Sequence, residues 1–264
     1  MAEILDYNYT NHLINSKWKE LGYTAGFSTR LNGYSHTPYN SLNVGIHVND
    51  RVEDVLKNRQ YISDQIEQPL DQWCCLKQVH STKVIDLTEI DCNKVSHDKP
   101  AIDADGMITN DPSHTLVTFY ADCVPLYFIA PERGWIGLAH AGWKGTVGGI
   151  SHYVIEALLS KGVQLEEIEV MIGPCISQDH YEVDERVIEQ IPQKYYEEVL
   201  KPSQQEDRYL LDLKMLNYLY LKELGLLTNQ IEISQYCTYE DEQLFFSFRR
   251  DKGQTGRMMA FLSL

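Results

Sequence analysis

Residues 121–145 read ADCVPLYFIAPERGWIGLAHAGWKG, and this stretch decides the fold because it predicts a β-hairpin. The segment PERG carries the proline and glycine of a tight turn, and apolar and aromatic residues continue on both sides of it. In an antiparallel hairpin the strand ends far from the turn come together. Cys123 stands eight residues before Pro131, and His140 stands six residues after Gly134. The spacing therefore predicts that this cysteine and this histidine lie near each other at the open end.

A cysteine and a histidine within reach of each other fit two chemistries. In a thiol hydrolase, His140 draws the proton from Cys123 and the thiolate attacks a carbonyl. In a metal site both side chains are ligands, and His80, within a straight or bent strand predicted over residues 73–87, is the natural third. Three protein ligands leave one tetrahedral position open, as in catalytic zinc sites. The residue types alone leave both interpretations open, beside a third in which all three side chains are structural.

Two carboxylates near these residues are candidates for catalysis or for orienting a ligand histidine. Asp105 stands two residues after Asp103 in AIDADGMIT, and Asp122 directly precedes Cys123. Asp105 followed by glycine is also a common turn pair, which supports a structural role equally well. Because both carboxylates stand near the cysteine and the histidines, we take Asp105 and Asp122 as catalytic candidates.

A basic cluster near the C-terminus is a candidate contact for phosphate. Arg249 and Arg250 belong to it, and Lys252 and Arg257 complete it within nine residues. The cluster is either a solvated turn or a pocket for a phosphorylated or phosphate-using ligand.

The loop LNGYSHTPYNSLN, residues 31–43, is rich in asparagine, glycine and serine. Arg30 precedes it and Asn43 ends it, and both suit the binding of sugar hydroxyls or phosphate. Arg30 as a plain surface residue is the alternative. His47, a few residues further on, is assigned no role.

The rest of the chain predicts a mixed α/β fold with sheets packed on sheets or helices. Helical periodicity covers residues 146–161, and strands are predicted over residues 244–250 (LFFSFRR) and 257–264. The chain has 264 residues, of which 43% are apolar, with neither a Pro/Gly/Ser-rich linker nor a fixed repeat. We therefore expect one domain over residues 1–264.

Composition restricts the partners and the location. A net charge of −15 repels phosphate backbones, so we expect no nucleic-acid partner. No apolar run approaches the ~20 residues that span a bilayer, and the N-terminus lacks the pattern of a signal peptide, so we expect no membrane partner. Six cysteines without a CxxC pair indicate reduced thiols and a cytoplasmic protein. The 17 tyrosines would permit a homodimer interface.

Eight segments occur in the order typical of the bacterial YfiH/YlmD-type family, and the chain resembles that family from about Phe27 to its C-terminus. They are FSTRLNGYSHTPYNSLNVGIHVND, LKQVHSTKV, DADGMIT, ADCVPLYF, GLAHAGWKGTVGGI, IGPCIS, YEV and FFSFRRDKGQTGRMMAFL. The resemblance points to the YlmD-like branch of purine nucleoside phosphorylases. The segments TRLNGYS and HVND depart from the Gly-Gly pair and the HVGD of many relatives, which bears on loop flexibility and substrate range.

The resemblance implies a four-layer α/β/β/α sandwich with mixed sheets. It implies one zinc ion per chain, bound by His80, Cys123 and His140. The implied substrates are inorganic phosphate and the purine nucleosides adenosine, inosine and 5′-methylthioadenosine. The implied products are the free base and ribose 1-phosphate or its methylthio analogue, with adenosine deamination as a further activity.

This function would give the basic residues a role, which is to bind the phosphate. Phosphorolysis needs a phosphate held beneath the anomeric carbon of the ribose. Arg249, Arg250 or Lys144 would hold that phosphate by charge-assisted hydrogen bonds.

Two other functions are connected with the same family. Its members have been described as laccase-like polyphenol oxidases that use copper, and the fold has been compared with thiol hydrolases of the cytotoxic-necrotizing-factor type. Nine histidines, none in an HxH pair, are too few for a multicopper centre. A Cys/His/His site can bind copper(II) adventitiously, because copper outranks zinc in intrinsic affinity. The alternatives are thus a Cys123–His140 thiol hydrolase and a copper-dependent oxidase.

Overall fold

The structure is a computed structural model in which residues 3–7 and 11–264 are described. The strands among these residues are β1 (His12–Ile14), β2 (Thr24–Ser28), β3 (Trp73–Cys75), β4 (Val84–Asp86), β5 (Gly106–Thr109), β6 (Thr115–Tyr120), β7 (Val124–Ala130), β8 (Trp135–Ala141), β9 (Glu169–Ile172), β10 (Glu182–Asp184), β11 (Leu200–Pro202), β12 (Arg208–Leu211), β13 (Ile231–Ile233) and β14 (Met258–Ser263). The α-helices are α1 (Ser16–Glu20), α2 (Val52–Ile66), α3 (Trp143–Val147), α4 (Ile150–Ser160), α5 (Glu185–Ile188), α6 (Tyr196–Val199) and α7 (Leu213–Glu223). Short 3₁₀ helices cover Leu70–Gln72, Leu87–Glu89, Cys92–Val95, Leu165–Glu167, Gln178–His180, Gln193–Tyr195 and Thr228–Gln230.

In the described part of the chain the strands form two large sheets and one small one. The first large sheet has five strands in the order β1-β2-β14-β6-β3, and the second has six in the order β13-β9-β7-β8-β5-β4. The small sheet has the order β10-β12-β11. Both large sheets are mixed. In the first, β3 runs parallel to β6 whereas β14 runs antiparallel to it. In the second, β4 runs parallel to β5 whereas β7 and β8 are antiparallel.

The two large sheets face each other, and each carries helices on its outer side. Buried residues of β6 and β14 share one core with residues of β7 and β8. Helix α2 packs Ile62 and Ile66 on the outer face of the five-stranded sheet. Helices α4 and α7 pack on the outer face of the six-stranded sheet, with Val154 and Leu216 among their buried residues. The four-layer α/β/β/α sandwich is confirmed.

Strand β7 shows why this sheet is buried on both faces. Leu126 and Phe128 belong to the core under the helices, whereas Tyr127 and Ile129 belong to the core between the sheets. Successive side chains of a strand point to opposite faces, so a continuous apolar run fills both cores. Each such side chain contributes about 1.5–3 kcal/mol on burial.

The predicted hairpin is confirmed. Strands β7 and β8 pair antiparallel from Ala130 opposite Trp135 at the turn to Val124 opposite Ala141 at the open end. Cys123 stands one residue before this register begins, and His140 is opposite Pro125. The open end therefore holds both residues that the spacing predicted to meet there.

The strand, straight or bent, predicted over residues 73–87 is wrong, because two strands of different sheets occupy this segment. The segment contains β3 in the five-stranded sheet and β4 in the six-stranded sheet, and the chain crosses between the sheets in the loop that joins them. The backbone N–H groups of Val79 and Ser81 bind the side chain of Asp105, and His80 between them has φ 59°. A backbone turned around one carboxylate in this way cannot continue a strand.

Two further element predictions fail at identifiable residues. The helix predicted over residues 146–161 is split into α3 and α4, because Gly149 adopts φ 79°. The strand predicted over residues 244–250 is a series of turns, in which Phe245 N–H donates to Asp241 O at 3.0 Å and Asp251 N–H to Ser247 O at 3.0 Å. None of the helices in the described ranges has the length and apolarity that a membrane span requires.

Candidate functional site

Three ligand atoms meet where the hairpin opens. Each of His80, Cys123 and His140 offers one such atom, and these atoms all lie within 4.8 Å of one another. His80 comes from the loop between β3 and β4, Cys123 directly precedes β7, and His140 lies in β8. His140 is buried, Cys123 is half-buried and His80 is exposed. The cluster is therefore anchored in the sheet at one side and open to solvent at the other.

Asp105 organises two of these side chains from beneath. Its buried carboxylate accepts the backbone N–H groups of Val79, His80 and Ser81 at 3.2, 3.0 and 2.6 Å. The same carboxylate lies 2.9 Å from Nδ1 of His140, which leaves Nε2 to face Cys123 or a metal ion. Asp105 thus holds the turn that carries His80 and fixes the orientation of His140.

The electrostatics of the cluster favour a positive charge at His140. Burial opposes protonation of this ring, yet Cys123 and Asp105 together raise the pKa of His140 to about 9. Burial likewise opposes ionisation of Asp105, but hydrogen bonds from His140 and Ser81 hold its pKa below the ordinary value. A cysteine sulfur and a carboxylate facing one imidazole favour a cation there, either a proton or a metal ion.

The residues fit a single metal ion. A thiolate and two imidazole nitrogens are donors that zinc accepts, and three of them leave one tetrahedral position open. Gly142 keeps the space between them clear, since a Cβ at this position would lie 2.6 Å from Nδ1 of His80 and 3.2 Å from Sγ of Cys123. Among the described residues this is the one group of three or more His, Cys, Asp or Glu side chains close enough to share an ion.

Asp122 has a different task from Asp105. It adopts φ 94°, and its carboxylate accepts Oγ1–H of Thr238 at 2.8 Å and the backbone N–H of Arg249 at 2.7 Å. Burial raises the pKa of Asp122 despite these hydrogen bonds. No hydrogen bond between Asp122 and a histidine occurs in the described ranges, so Asp122 fastens loops beside Cys123 and does not orient a ligand ring.

Two of the basic candidates lie close to the cluster. Lys144 is exposed in α3, and its charge is one of the causes, after burial and His140, that lower the pKa of His80. The guanidinium of Arg249 lies over the ring of Tyr181 at 5.1 Å from its centroid. Nη1 of Arg249 also donates to Glu182 O at 2.7 Å, so Arg249 is partly engaged, whereas Lys144 is exposed.

Arg250 and Arg30 are engaged elsewhere. The guanidinium of Arg250 donates to the carbonyls of Thr238, Tyr239 and Phe245 and to Asp251. Both arginines line a cleft of about 540 Å³ that includes none of the three clustered ligands among its lining residues.

Arg30 also serves the protein itself. Its Nε and Nη2 donate to Asn40 O at 3.2 and 2.9 Å, and its guanidinium stacks on Phe246 at 4.6 Å. The structure therefore gives Arg30 and Arg250 structural partners, and the phosphate or sugar contacts expected from the sequence stay predictions.

Asn43 is also a supporting residue. It is fully buried, and its Nδ2 donates to Gly45 O and to Asp50 at 3.4 and 2.8 Å. Its Oδ1 accepts the backbone N–H groups of Gly45 and Arg257 at 3.0 and 2.8 Å. The amide has no hydrogen left for a substrate, but it fixes the backbone of Arg257.

Two further residues belong to this site, and the sequence indicated one of them only as a member of the basic cluster. Arg257 interacts electrostatically with Cys123 and Asp122, and its Nη1 donates to its own loop, so Nε and Nη2 have no partner among the described residues. His47 is exposed, and desolvation followed by the charges of Arg257, Arg59 and His140 lowers its pKa to about 4. The basic cluster already contained Arg257, but nothing local in the sequence marked His47.

Comparison with known proteins gives the following matches. A family model described as multi-copper polyphenol oxidoreductase laccase matches residues 24–264. The chain is 41% identical over 244 residues to a Bacillus subtilis protein named purine nucleoside phosphorylase YlmD, covering 91% of this chain and 88% of that one. It is 39% identical over 248 residues to the protein of the same name from Geobacillus stearothermophilus, covering 91% and 90%. The solved structure of the Bacillus licheniformis hypothetical protein YfiH superposes with a TM-score of 0.92 at 36% identity, covering 98% of each chain.

Proposed function

Because this chain belongs to the family described as multi-copper polyphenol oxidoreductase laccase, and two of its close relatives carry the name purine nucleoside phosphorylase, we propose that it is a purine nucleoside phosphorylase. The observation that carries the proposal is the cluster of His80, Cys123 and His140 with a partly unpartnered arginine, Arg257, beside it. The ion is zinc. The substrates are inorganic phosphate and adenosine, inosine or 5′-methylthioadenosine, with adenosine deamination as a side activity.

The donor set argues for zinc chemistry and against a multi-copper oxidase. Such an oxidase passes electrons between several coppers and needs ligands for each of them, whereas the described residues bring together one group of three. One thiolate and two imidazoles suit zinc, and copper(II) would bind the same set through its higher intrinsic affinity. Copper at this site is therefore adventitious.

Arg257 is the residue that we place against the phosphate. Its backbone is fixed by Asn43, its Nε and Nη2 have no partner in the described part of the chain, and it lies within electrostatic reach of Cys123. A guanidinium held in this way binds phosphate with paired hydrogen bonds. Arg249 and Lys144 add positive charge around the same opening.

The reaction then divides among these residues. An oxygen of the phosphate attacks the anomeric carbon of the ribose, and the bond from that carbon to the purine nitrogen breaks. The purine takes up the electron pair together with the proton that the attacking phosphate gives up. Arg257 holds the attacking phosphate and offsets its charge. Asp105 keeps Nε2 of His140 directed into the cluster. When bound, zinc supplies a Lewis acid for the purine and, in deamination, an activated water.

The test measures metal and turnover on the same preparation. The protein is purified without an affinity tag, its zinc and copper contents are determined, and it is assayed on inosine, adenosine and 5′-methylthioadenosine with and without phosphate. We expect about one zinc per chain. Release of free base and ribose 1-phosphate, or the methylthio analogue, is expected to depend on phosphate.

His80→Ala is expected to lose both the zinc and the turnover. The matched control is His152→Ala, which removes an exposed histidine on α4 that pairs with Glu156 and is expected to keep both. Metal-free protein that still converts substrate, and that loses activity on alkylation of Cys123, would indicate a Cys123–His140 thiol hydrolase instead. Activity that follows copper content on phenolic substrates would establish the oxidase.

A further inference from the structure

Phe248 is exposed where the chain otherwise buries its phenylalanines. Phe245 and Phe246, from the same run, are 0% exposed, whereas Phe248 is 52% exposed. Exposure of a large aromatic side chain gains nothing for folding, because its apolar surface stays in water. A role in the folded core therefore does not account for an aromatic residue at this position.

The backbone of Phe248 is fastened directly beside the metal cluster. The residues on either side of it, Ser247 and Arg249, both hydrogen-bond to Asp122, Ser247 through its side chain and Arg249 through its backbone N–H at 2.7 Å. Asp122 in turn precedes Cys123. Phe248 is thus held next to the loop that carries Cys123.

The ring itself is fixed from two sides. Gly253, at φ 86°, donates its N–H to Phe248 O at 2.9 Å, and a Cβ on this glycine would lie 3.3 Å from Cζ of the ring. The guanidinium of Arg257 lies 5.7 Å from the ring centroid. An exposed ring held in this way is preorganised to receive a flat partner.

A purine ring is the partner that this arrangement fits. Aromatic side chains stack on nucleobases through offset π contacts, and such contacts tolerate different purines because each has the same flat face. The guanidinium of the arginine that we place against phosphate lies 5.7 Å from the centroid of the same phenylalanine ring, so base and phosphate would be held by neighbouring side chains. A nucleoside spans that distance naturally, with its ribose between the two contacts.

We propose that Phe248 is the base-stacking residue of the site and selects ligands that carry an aromatic nucleobase. This inference rests on the proposed function and deepens it. It accounts for the acceptance of adenosine, inosine and 5′-methylthioadenosine by one site, because stacking does not distinguish the substituent on the purine or on the ribose.

The test measures binding apart from turnover. Calorimetric Kd values for inosine and for adenine, in phosphate-free buffer, are compared between the zinc-loaded wild type, Phe248→Leu and Phe248→Tyr. We expect Phe248→Leu to weaken both ligands by about tenfold or more, and Phe248→Tyr to stay within about threefold of the wild type. Tyr153→Leu is the matched control, since Tyr153 is a 46% exposed aromatic residue on α4, and it is expected to change neither Kd.

A ligand without a base separates stacking from a structural effect. Ribose 5-phosphate is expected to bind equally well to wild type and to Phe248→Leu, and an equal loss for this ligand would overturn the proposal. Inosine binding that is the same in Phe248→Leu and wild type would also overturn it, as would a wild type that binds no purine. A wild type that binds inosine through Phe248 but does not convert it in the presence of phosphate would contradict the phosphorylase function and still support the stacking role.

Discussion

At the scale of single residues, the site depends on one carboxylate that serves two ligands. Asp105 binds the turn of His80 through backbone N–H groups and the ring of His140 through Nδ1. Its neighbour Asp103 is exposed and pairs with Lys77 at 3.2 Å. Two aspartates that look alike in the sequence therefore differ completely in what they hold.

Asp105→Asn is expected to lower the metal affinity by about 10–100-fold, because the amide cannot accept from His140 and from the turn as a carboxylate does. The same change is expected to lower the free energy of unfolding by about 2 kcal/mol. Competition against a chelator measures the first effect, and urea unfolding measures the second. Asp103→Asn is the control, with a stability change within about 0.5 kcal/mol. Equal metal affinity in the two variants would show that Asp105 does not position the ligands.

At the scale of elements, Arg250 stabilises a compact loop in a segment whose sequence predicts a strand. Its donors reach the carbonyls of Thr238, Tyr239 and Phe245, which gather two parts of the chain around one guanidinium. Asp251 accepts from the same guanidinium at 2.9 Å. The loop that carries Phe248 and Arg249 is therefore built around Arg250.

Arg250→Lys is expected to lower the free energy of unfolding by about 2–4 kcal/mol, since one ammonium group cannot replace a planar fork that bonds several carbonyls. The control is Arg249→Lys at the adjacent exposed position, with a loss below about 1 kcal/mol. Denaturant unfolding of both variants provides the comparison. A difference smaller than the experimental error would mean that the loop holds its shape without Arg250.

At the scale of the whole molecule, acid stability depends on a buried histidine far along the chain from the metal cluster. His12 lies in β1, at the edge of the five-stranded sheet, 1% exposed and with its ring against Phe261. Burial, and then the charge of Lys19, lowers the pKa of His12 to about 4. The unfolded chain takes up this proton near pH 6.5, so between about pH 6.5 and pH 4 it binds more protons than the folded chain.

Stability is therefore expected to fall as the pH is lowered through that window, and His12 accounts for roughly 2 kcal/mol of the loss between pH 7 and pH 4.5. Urea unfolding at these two pH values is compared for wild type, His12→Gln and the exposed control His152→Gln. His12→Gln should lose less stability over the interval, whereas His152→Gln should follow the wild type. The comparison between variants removes the contribution of the carboxylates, which titrate in the same range. An equal loss in all three proteins would rule out His12 as the source.

The sequence by itself determined the hairpin and the two ligands that it brings together. The turn in PERG and the apolar runs around it are local signals, and pairing outward from a turn is simple counting. Cys123 and His140 therefore followed from spacing. The four-layer architecture followed from the resemblance over most of the chain.

Only the tertiary structure decided how the remaining residues are used. Arg250 and Arg257 have the same charge and lie seven residues apart, yet one is surrounded by carbonyls and the other keeps free donors beside Cys123. Asn43, predicted from the sequence to bind ligand, hydrogen-bonds to Gly45, Asp50 and the backbone of Arg257. The physical reason is the same in both cases. A polar side chain bonds to whatever groups the fold brings within about 3 Å, and those groups come from distant parts of the chain that no local pattern specifies.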